Sequence, residues 1–166
     1  RGQAVDFDGC IAWTQRNGAE TGVLLVEGVG GLLAPLAKGK TVASLGQALG
    51  AQLIVVAPNR VGVINQVLLT IEAATKRGLE VACVVLMGQK EPDASSLDNA
   101  SLLRDFLPVL ADFKGVFEFP WLGLGADDPG QIGVNVKKAE KVLAKFLEAC
   151  KLRGPSGSGV SVQPSG

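Results

Sequence analysis

Short apolar runs alternate with longer amphipathic stretches along this chain. Apolar runs of strand length cover residues 22–27, 52–57, 79–86 and 115–119. Apolar residues recur at helical spacing at 5–16, 41–49, 61–76, 96–110 and within 130–152. Continuous apolar runs suit strands that are buried on both faces, and such strands alternate with helices in doubly wound folds. The pattern therefore predicts an α/β fold built on a doubly wound parallel sheet.

Glycine and proline mark the ends of several predicted elements. Gly50 ends the helix at 41–49, Gly78 follows the helix at 61–76, and Pro58 stops the strand at 52–57. The core positions of the predicted helices include Val5, Trp13, Leu97, Leu102 and Phe106. Residues 154–166 are rich in Gly, Ser and Pro, which predicts a flexible tail behind a domain that spans residues 1–153.

The run at 22–27 ends in Glu27, and a glycine-rich turn with Gly28, Gly30 and Gly31 follows. Ligands of open α/β sheets bind at the carboxyl ends of strands, and glycine lets backbone N–H groups approach a phosphate closely. One carboxylate beside free amides suggests a metal–phosphate site. The alternatives are a solvated charge at the strand end and a tight turn that binds no ligand.

Two further segments invite a functional interpretation. Gly39-Lys40-Thr41 looks like the end of a phosphate loop, but Ala34 stands where that motif needs glycine, so Thr41 is predicted to start a helix instead. Residues 59–65 open the long helix, where Arg60 and free amides favour an anion. Ordinary helix capping by Asn59 is the alternative there. Trp121 suggests a stacking surface for a base, and a place in the core is the alternative for it.

Composition narrows the function classes. The 166 residues carry 16 basic and 16 acidic side chains in no long block, which favours neither nucleic acid nor a membrane as partner. The apolar runs are too short for a transmembrane helix. Histidine and tyrosine are absent, so carboxylates, lysines or the substrate must do any acid–base chemistry. Three scattered cysteines predict reduced, mostly buried thiols in a cytoplasmic protein.

Several blocks of this sequence, taken in order, resemble the dethiobiotin synthetases. The blocks are Val-Glu-Gly-Val-Gly-Gly and Pro-Leu within 26–36, Val-Gly-Val-Ile-Asn at 61–65, Leu-Leu-Thr at 68–70, Arg-Gly-Leu at 77–79 and Pro-Trp-Leu at 120–122. The resemblance covers roughly residues 5–150. It implies a P-loop NTPase type of sheet, incomplete at the N-terminus.

The resemblance also implies an activity. Dethiobiotin synthetases use ATP and Mg²⁺ to carboxylate 7,8-diaminopelargonic acid with carbon dioxide and to close a cyclic urea in biotin biosynthesis. The diamine takes up carbon dioxide as a carbamate, ATP phosphorylates the carbamate, and the second amine displaces phosphate. The resemblance further implies a homodimer.

Individual residues take their roles from the same resemblance. Glu27 matches the magnesium ligand, and together with Gly28, Val29 and Gly30 it matches residues beside the nucleotide phosphates. A second set matches a loop that contacts substrate across the dimer interface: Arg60, Val61, Gly62, Ile64 and Asn65. A third set matches contacts to the nucleotide base: Met87, Gly88, Pro120, Trp121 and Leu122. No catalytic residue is implied within this chain.

Two departures from the family pattern matter. Met87 stands where the family has a base-reading asparagine, and a thioether packs on a purine but cannot read its edge. No segment matches the family's N-terminal phosphate loop, so we expect negligible turnover by this chain alone. The preferred hypothesis is the C-terminal portion of a dethiobiotin synthetase that needs its N-terminal part. The alternatives are a non-catalytic binding or dimerisation module and a related amidotransferase-type synthetase.

Overall fold

A computed structural model describes residues 5–18, 23–107 and 113–150 of the chain. Within these ranges the α-helices are α1 Phe7–Gly18, α2 Val42–Leu49, α3 Val63–Thr75, α4 Asn99–Phe106 and α5 Ile132–Ala149. The strands are β1 Pro35–Ala37, β2 Lys40–Thr41, β3 Leu53–Pro58, β4 Val81–Met87 and β5 Val116–Phe119. Two 3₁₀ turns precede α4 and α5, at Ala94–Leu97 and Pro129–Gln131.

Strands β3, β4 and β5 form a parallel sheet in that order, and β1 and β2 form a separate antiparallel hairpin. Val55 of β3 pairs with Val84 of β4, which pairs with Val116 of β5. A parallel connection needs a crossover, and α3 and α4 supply the crossovers from β3 to β4 and from β4 to β5. The predicted α/β fold with a parallel sheet is confirmed.

One face of the sheet packs against α3 and α4 and forms the core. Strand residues alternate between the two faces, which places Val84 and Leu86 on this side. Ile71 of α3 and Leu103 of α4 pack against them, and both side chains are fully buried. The core thus holds the carboxyl ends of the strands in fixed relation to one another.

The opposite face of the sheet is covered by α5. Phe146 of this helix makes edge-to-face contacts with Phe117 and Phe119 of β5, with ring centroids 5.5 and 6.1 Å apart. Val56 of β3 points to the same face and remains 62 % exposed. Helix α5 therefore covers the β5 side of this face more completely than the β3 side.

The predicted element ends are largely confirmed. Gly50 follows α2 with a φ of 59°, in the left-handed conformation that ends helices. Thr41 is the N-cap of α2, and its N–H donates to the Ser44 hydroxyl (3.1 Å). The Lys40 ammonium lies 5.4 Å from the centre of the Phe7 ring. Thr41 therefore starts a helix, as predicted, while Lys40 and Thr41 form β2, and the segment at 39–41 does not form a phosphate loop.

The strand predicted at 22–27 is wrong for its described residues. Residues 23–28 form no strand, and the side chains of Val23, Leu24, Leu25 and Val26 are exposed. A strand is stable only when a neighbouring strand satisfies its backbone N–H and C=O groups. The sequence pattern identifies an apolar run, but the described sheet offers this run no neighbour.

Five side chains that we predicted to lie in the core are exposed: Val5, Trp13, Leu97, Leu102 and Phe106. In α4 the reason is a break in the helical period, since Ala94–Leu97 is a 3₁₀ turn and the α-helix begins only at Asn99. Helix α4 consequently buries Asn99, Ala100 and Leu103.

The cysteines differ in burial. Cys10 is exposed, against our prediction, while Cys83 is buried in β4 and Cys150 is half-buried after α5. Burial, with a contribution from the neighbouring Cys150 thiol, raises the pKa of Cys83 to about 12.

We therefore expect iodoacetamide at pH 8 to alkylate Cys10 readily and Cys83 only after unfolding, because the thiolate is the reactive form. Mass spectrometry of digested protein gives the extent of labelling at each site. Equal labelling of Cys10 and Cys83 in the folded protein would contradict the burial of β4.

No helix within the described ranges combines the length and the apolar character needed to cross a membrane. The predicted tail at 154–166 and the domain boundary at 153 lie outside the described residues.

Candidate functional site

The three strands of the sheet end in register at its carboxyl edge. Pro58 of β3 pairs with Met87 of β4, which pairs with Phe119 of β5. The Asn59 N–H continues this pattern by donating to the Met87 carbonyl (2.8 Å). The Gly88 N–H likewise donates to the Phe119 carbonyl (2.7 Å). Ligands bind beyond such strand ends, so the segments that follow form the candidate site.

Three loops leave this edge. The β3 exit loop comprises residues 59–62, the β4 exit loop residues 88–98, and the β5 exit loop residues 120–128. The residues predicted to contact a nucleotide base lie at the end of β4 and in the β4 and β5 exit loops. Those predicted to contact substrate lie in the β3 exit loop and the first turn of α3.

Gly88 lies against the backbone of the β5 exit loop. A Cβ atom at this position would be 2.7 Å from the Trp121 nitrogen, 3.0 Å from the Phe119 oxygen and 3.0 Å from the Pro120 carbonyl carbon. Only glycine fits such an approach without a shift of the backbone. The structure thus brings Met87 and Gly88 together with Pro120 and Trp121.

The surface around this contact is partly apolar. Trp121 is 38 % exposed, so it is only partly taken up by the core, and Met87 is half-buried. The carbonyl of Leu122 accepts a hydrogen bond from the Lys138 ammonium of α5 (3.1 Å), which anchors the β5 exit loop. A partly exposed indole at this edge of the sheet offers a stacking surface to a planar ring.

Gln89 is a polar neighbour that the sequence reasoning missed. Its side-chain N–H₂ group donates to the carbonyls of Met87 (2.8 Å) and Gly88 (3.2 Å). The side-chain oxygen of Gln89 accepts no hydrogen bond from the described residues and is left as an acceptor. Its place two residues after the strand end was the available sequence signal.

The β3 exit loop leads into α3 through a left-handed glycine. Gly62 is the N-cap of α3 and has a φ of 87°. Arg60 and Val61 are exposed beside it. The alternative that Asn59 caps the helix is wrong, because the N-cap is Gly62, three residues later, and the Asn59 side chain bonds elsewhere.

The amides at the start of α3 divide into two groups. The Val61 N–H donates to an Asp93 carboxylate oxygen (2.8 Å), and the Val63 N–H donates to the Arg60 carbonyl (3.1 Å). The N–H groups of Ile64 and Asn65 donate to no group in the described part of the chain. Such free amides, together with the helix dipole, favour an anion at this end of the helix.

A buried pair of amides lies behind the β3 exit loop. Asn59 is 7 % exposed and Asn99 of α4 is 2 % exposed. The Asn99 side-chain N–H₂ donates to the Asn59 side-chain oxygen (2.9 Å) and to the Arg60 carbonyl (3.3 Å). The Asn59 N–H₂ donates to the Ser96 carbonyl (3.0 Å). These bonds join the β3 exit loop to the β4 exit loop and α4.

Asp93 of the β4 exit loop is the other residue that the sequence reasoning missed. Its carboxylate accepts hydrogen bonds from the Ser95 hydroxyl, the Val61 N–H and the Ser95 N–H. The bonds from Ser95 and Val61 lower the pKa of Asp93 below its usual value, because they favour the charged form. The sequence signal was an Asp two residues before Ser95-Ser96, a pattern that caps helical turns.

The loop that carries Glu27 lies against the start of α2. The Ala43 N–H donates to the Leu32 carbonyl (2.8 Å), and a Cβ on Gly28 would be 2.7 Å from Cγ1 of Val42. Gly30 adopts a φ of 86°, and Glu27, Gly28, Val29 and Gly30 are all exposed. No hydrogen bond within the described ranges links this loop to the other two groups of predicted site residues.

A shallow cleft of about 410 Å³ lies at the other end of the sheet. It is lined by Gly46, Gln47, Gly50, Ala51, Arg77, Gly78, Leu79 and Glu80. None of the predicted site residues lies there. The strand ends, rather than this cleft, therefore carry the candidate site.

Comparison with known families gives a match over most of the chain. A family model described as an AAA domain matches residues 1–123. Its match contains the three strands of the sheet and the predicted site residues up to Leu122.

Individual relatives point to one kind of protein. The ATP-dependent dethiobiotin synthetase BioD of Corynebacterium kroppenstedtii is 44 % identical over 88 residues, which cover 53 % of this chain and 37 % of the relative. That of an Anaeromyxobacter species (strain Fw109-5) is 38 % identical over 96 residues, or 58 % of this chain and 43 % of the relative. That of Corynebacterium glutamicum strain R is 34 % identical over 104 residues, or 63 % and 46 %.

The resemblance to dethiobiotin synthetases is thereby confirmed. The chain spans less than half the length of each of these relatives.

Proposed function

Because this chain belongs to the AAA domain family, we propose that it forms part of an ATP-dependent cyclo-ligase that makes dethiobiotin in biotin biosynthesis. The observation that carries the proposal is the 34–44 % identity to dethiobiotin synthetases. The geometry supports it, because the loops that match the family's base and substrate contacts leave the same edge of a parallel sheet. A phosphate loop, supplied by an N-terminal part, completes the site in this proposal.

The reaction joins carbon dioxide to 7,8-diaminopelargonic acid and closes a ring. One amine attacks carbon dioxide to give a carbamate, and a carbamate oxygen then attacks the γ-phosphorus of ATP, with ADP as leaving group. The second amine attacks the carbonyl carbon of the mixed anhydride and expels inorganic phosphate. The residues of this chain bind and orient the two substrates for these steps.

The Glu27 loop is suited to hold Mg²⁺ with the nucleotide phosphates. No cluster of three or more His, Cys, Asp or Glu side chains that could enclose a metal exists in the described residues. Mg²⁺ is commonly held by one or two carboxylates, water and substrate phosphates, so one exposed carboxylate fits that ion. When bound, Mg²⁺ neutralises charge on the phosphates, and Gly28, Val29 and Gly30 lie beside them.

The surface formed by Met87, Gly88, Pro120, Trp121 and Leu122 binds the nucleotide base in this proposal. The Trp121 indole supplies a stacking face, and Gly88 allows the two exit loops to approach. Met87 cannot read the edge of the base. The acceptor oxygen of Gln89 favours the exocyclic amino group of adenine over the carbonyl oxygen of guanine.

The β3 exit loop binds the diamine substrate in this proposal. Arg60 supplies a positive charge, and the free amides of Ile64 and Asn65 favour the substrate carboxylate. Val61 and Gly62 shape the approach to them. Exposed apolar side chains on the β3 and β4 exit loops and on α3 and α4 support a homodimer: Val61, Leu69, Leu97, Leu102 and Phe106. The free thiols fit the reducing cytoplasm.

One observation favours the second candidate, a non-catalytic binding or dimerisation module. Met87 replaces the family's base-reading amide, and this change weakens the case for selective nucleotide use. The two candidates differ in whether a phosphate loop accompanies the chain.

The test has two parts: the reading frame upstream of Arg1 is determined, and the extended protein that it encodes is assayed for dethiobiotin synthesis. We expect that frame to encode G-x-x-x-x-G-K-S/T and the extended protein to form dethiobiotin from the diamine, bicarbonate and MgATP, as detected by mass spectrometry. Glu27→Gln should lower the apparent Mg²⁺ affinity of the extended protein by about 10- to 100-fold. Glu148→Gln, an exposed carboxylate on α5, is the matched control. An upstream frame without the motif, or an inactive extended protein, would favour the non-catalytic module.

A further inference from the structure

The β3 and β4 exit loops are held together by side chains that have no assigned role. The Asp93 carboxylate of the β4 exit loop accepts from the Val61 N–H of the β3 exit loop (2.8 Å). Ser95 also bonds to Asp93, which fixes the carboxylate within its own turn. Asp93 therefore reaches the β3 exit loop from a loop that is itself ordered.

A second attachment comes from α4. Asn99 is almost fully buried and donates to the side-chain oxygen of Asn59 and to the Arg60 carbonyl. No buried polar side-chain atom among the described residues lacks a partner, so this amide pair is satisfied. Asn99 thus fixes the Asn59–Arg60 segment, and Asp93 fixes the peptide of Val61, the next residue.

The β3 exit loop needs such attachments because its last residue is a glycine. Gly62 adopts a φ of 87°, and glycine reaches many other backbone conformations at little cost. The Arg60 side chain makes no hydrogen bond or ion pair with the described residues. The direction of Arg60 and of the first amides of α3 therefore depends on how the backbone at Val61 is held.

We propose that Asp93 is a positioning residue that holds the Val61 peptide, and through it Arg60 and the start of α3, in the geometry that receives the carboxylate of the diamine. The inference rests on the proposed function for the identity of that substrate. Asp93 does not touch the substrate in this proposal, because its oxygens are taken by Val61 and Ser95.

Amide hydrogen exchange on the wild-type chain and its variants tests the structural half of the proposal without any ligand. Asp93→Ala should raise the exchange rate of the Val61 amide by about tenfold, because that amide loses its charged acceptor. Asp93→Asn, which keeps an acceptor oxygen, should restore much of the protection. Asp98→Ala is the matched control, since its side chain makes no cap hydrogen bond in the same loop.

Ser95→Ala separates the positioning of Val61 from the order of the turn itself. This variant removes the Ser95 hydroxyl that bonds Asp93 and leaves the Val61–Asp93 bond in place. Val61 exchange in Ser95→Ala should stay close to wild type. Unchanged Val61 exchange in Asp93→Ala, with the protein still folded, would overturn the proposal.

Calorimetric titration of the extended protein with 7,8-diaminopelargonic acid and, separately, with MgATP tests the functional half. Asp93→Ala should weaken diamine binding by about tenfold and leave the nucleotide affinity unchanged, and Asp93→Asn should rescue the diamine affinity. Equal loss of both ligands, or of neither, would overturn the positioning role. If the extended wild-type protein binds no diamine, the proposed function fails, and the exchange rates still decide whether Asp93 holds the loop.

Discussion

Replacing Leu103 with alanine is expected to lower the free energy of unfolding by about 2–5 kcal/mol. Leu103 lies on α4 with none of its surface exposed, and it packs in the core beneath the sheet. Truncation removes buried methyl groups and leaves a cavity, because neighbours on α3 and β4 are held by their own contacts. Urea unfolding followed by circular dichroism measures the change.

Leu102→Ala is the matched control for this prediction. Leu102 is the preceding residue of the same helix and is 39 % exposed, so the same truncation should cost well under half as much. The comparison cancels the change in helix propensity, since both variants exchange leucine for alanine within α4. Equal losses for the two variants would contradict the assignment of Leu103 to the core.

Three of the four predicted strands are confirmed, and β4 was the plainest of them because burial on both faces leaves a local mark. The run Val81–Met87 is apolar at every position, and six of its seven residues are buried. Such a pattern does not depend on knowing the partner strand. The parallel direction follows from the helix that separates each pair of strands.

The segment at 23–27 shows the limit of this reasoning. Its composition is that of a buried strand, but pairing is a contact with another segment and leaves no mark in the local sequence. The side chains of Leu24 and Leu25 are exposed, and the described sheet ends at β3 on one side and at β5 on the other. An apolar run predicts a tendency to be buried and does not predict what buries it.

The residues of the candidate site likewise differ in whether the local sequence indicates them. Position beyond a strand end is a local property, so Arg60, Gly88 and Trp121 could be placed at one edge of the sheet in advance. The bonds of Asp93 to Val61 and of Asn99 to Asn59 join residues 32 and 40 positions apart. Such long-range hydrogen bonds depend on the packing of α4 beside α3, which no short motif encodes.

The contact between the β4 and β5 exit loops leads to the second large effect. Gly88→Ala should lower the free energy of unfolding by about 1–3 kcal/mol, the usual cost of overpacking. The added Cβ would meet backbone atoms of Trp121, Phe119 and Pro120, none of which can rotate away as a side chain would. The hydrogen bond from the Gly88 N–H to the Phe119 carbonyl would lengthen as the loops separate.

Gly133→Ala is the control that isolates this crowding. Gly133 lies in α5 with no atom within 4 Å of an added Cβ, so the same substitution should leave stability unchanged or raise it by up to about 1 kcal/mol. Urea unfolding of both variants, and titration of the extended protein carrying each substitution with ATP, give the result. Under the proposed function Gly88→Ala also loses nucleotide affinity, because Trp121 moves with its loop, whereas Gly133→Ala keeps it. Unfolding midpoints that coincide would mean that the two exit loops yield to a methyl group, and the Trp121 indole would then not be a fixed surface for a base.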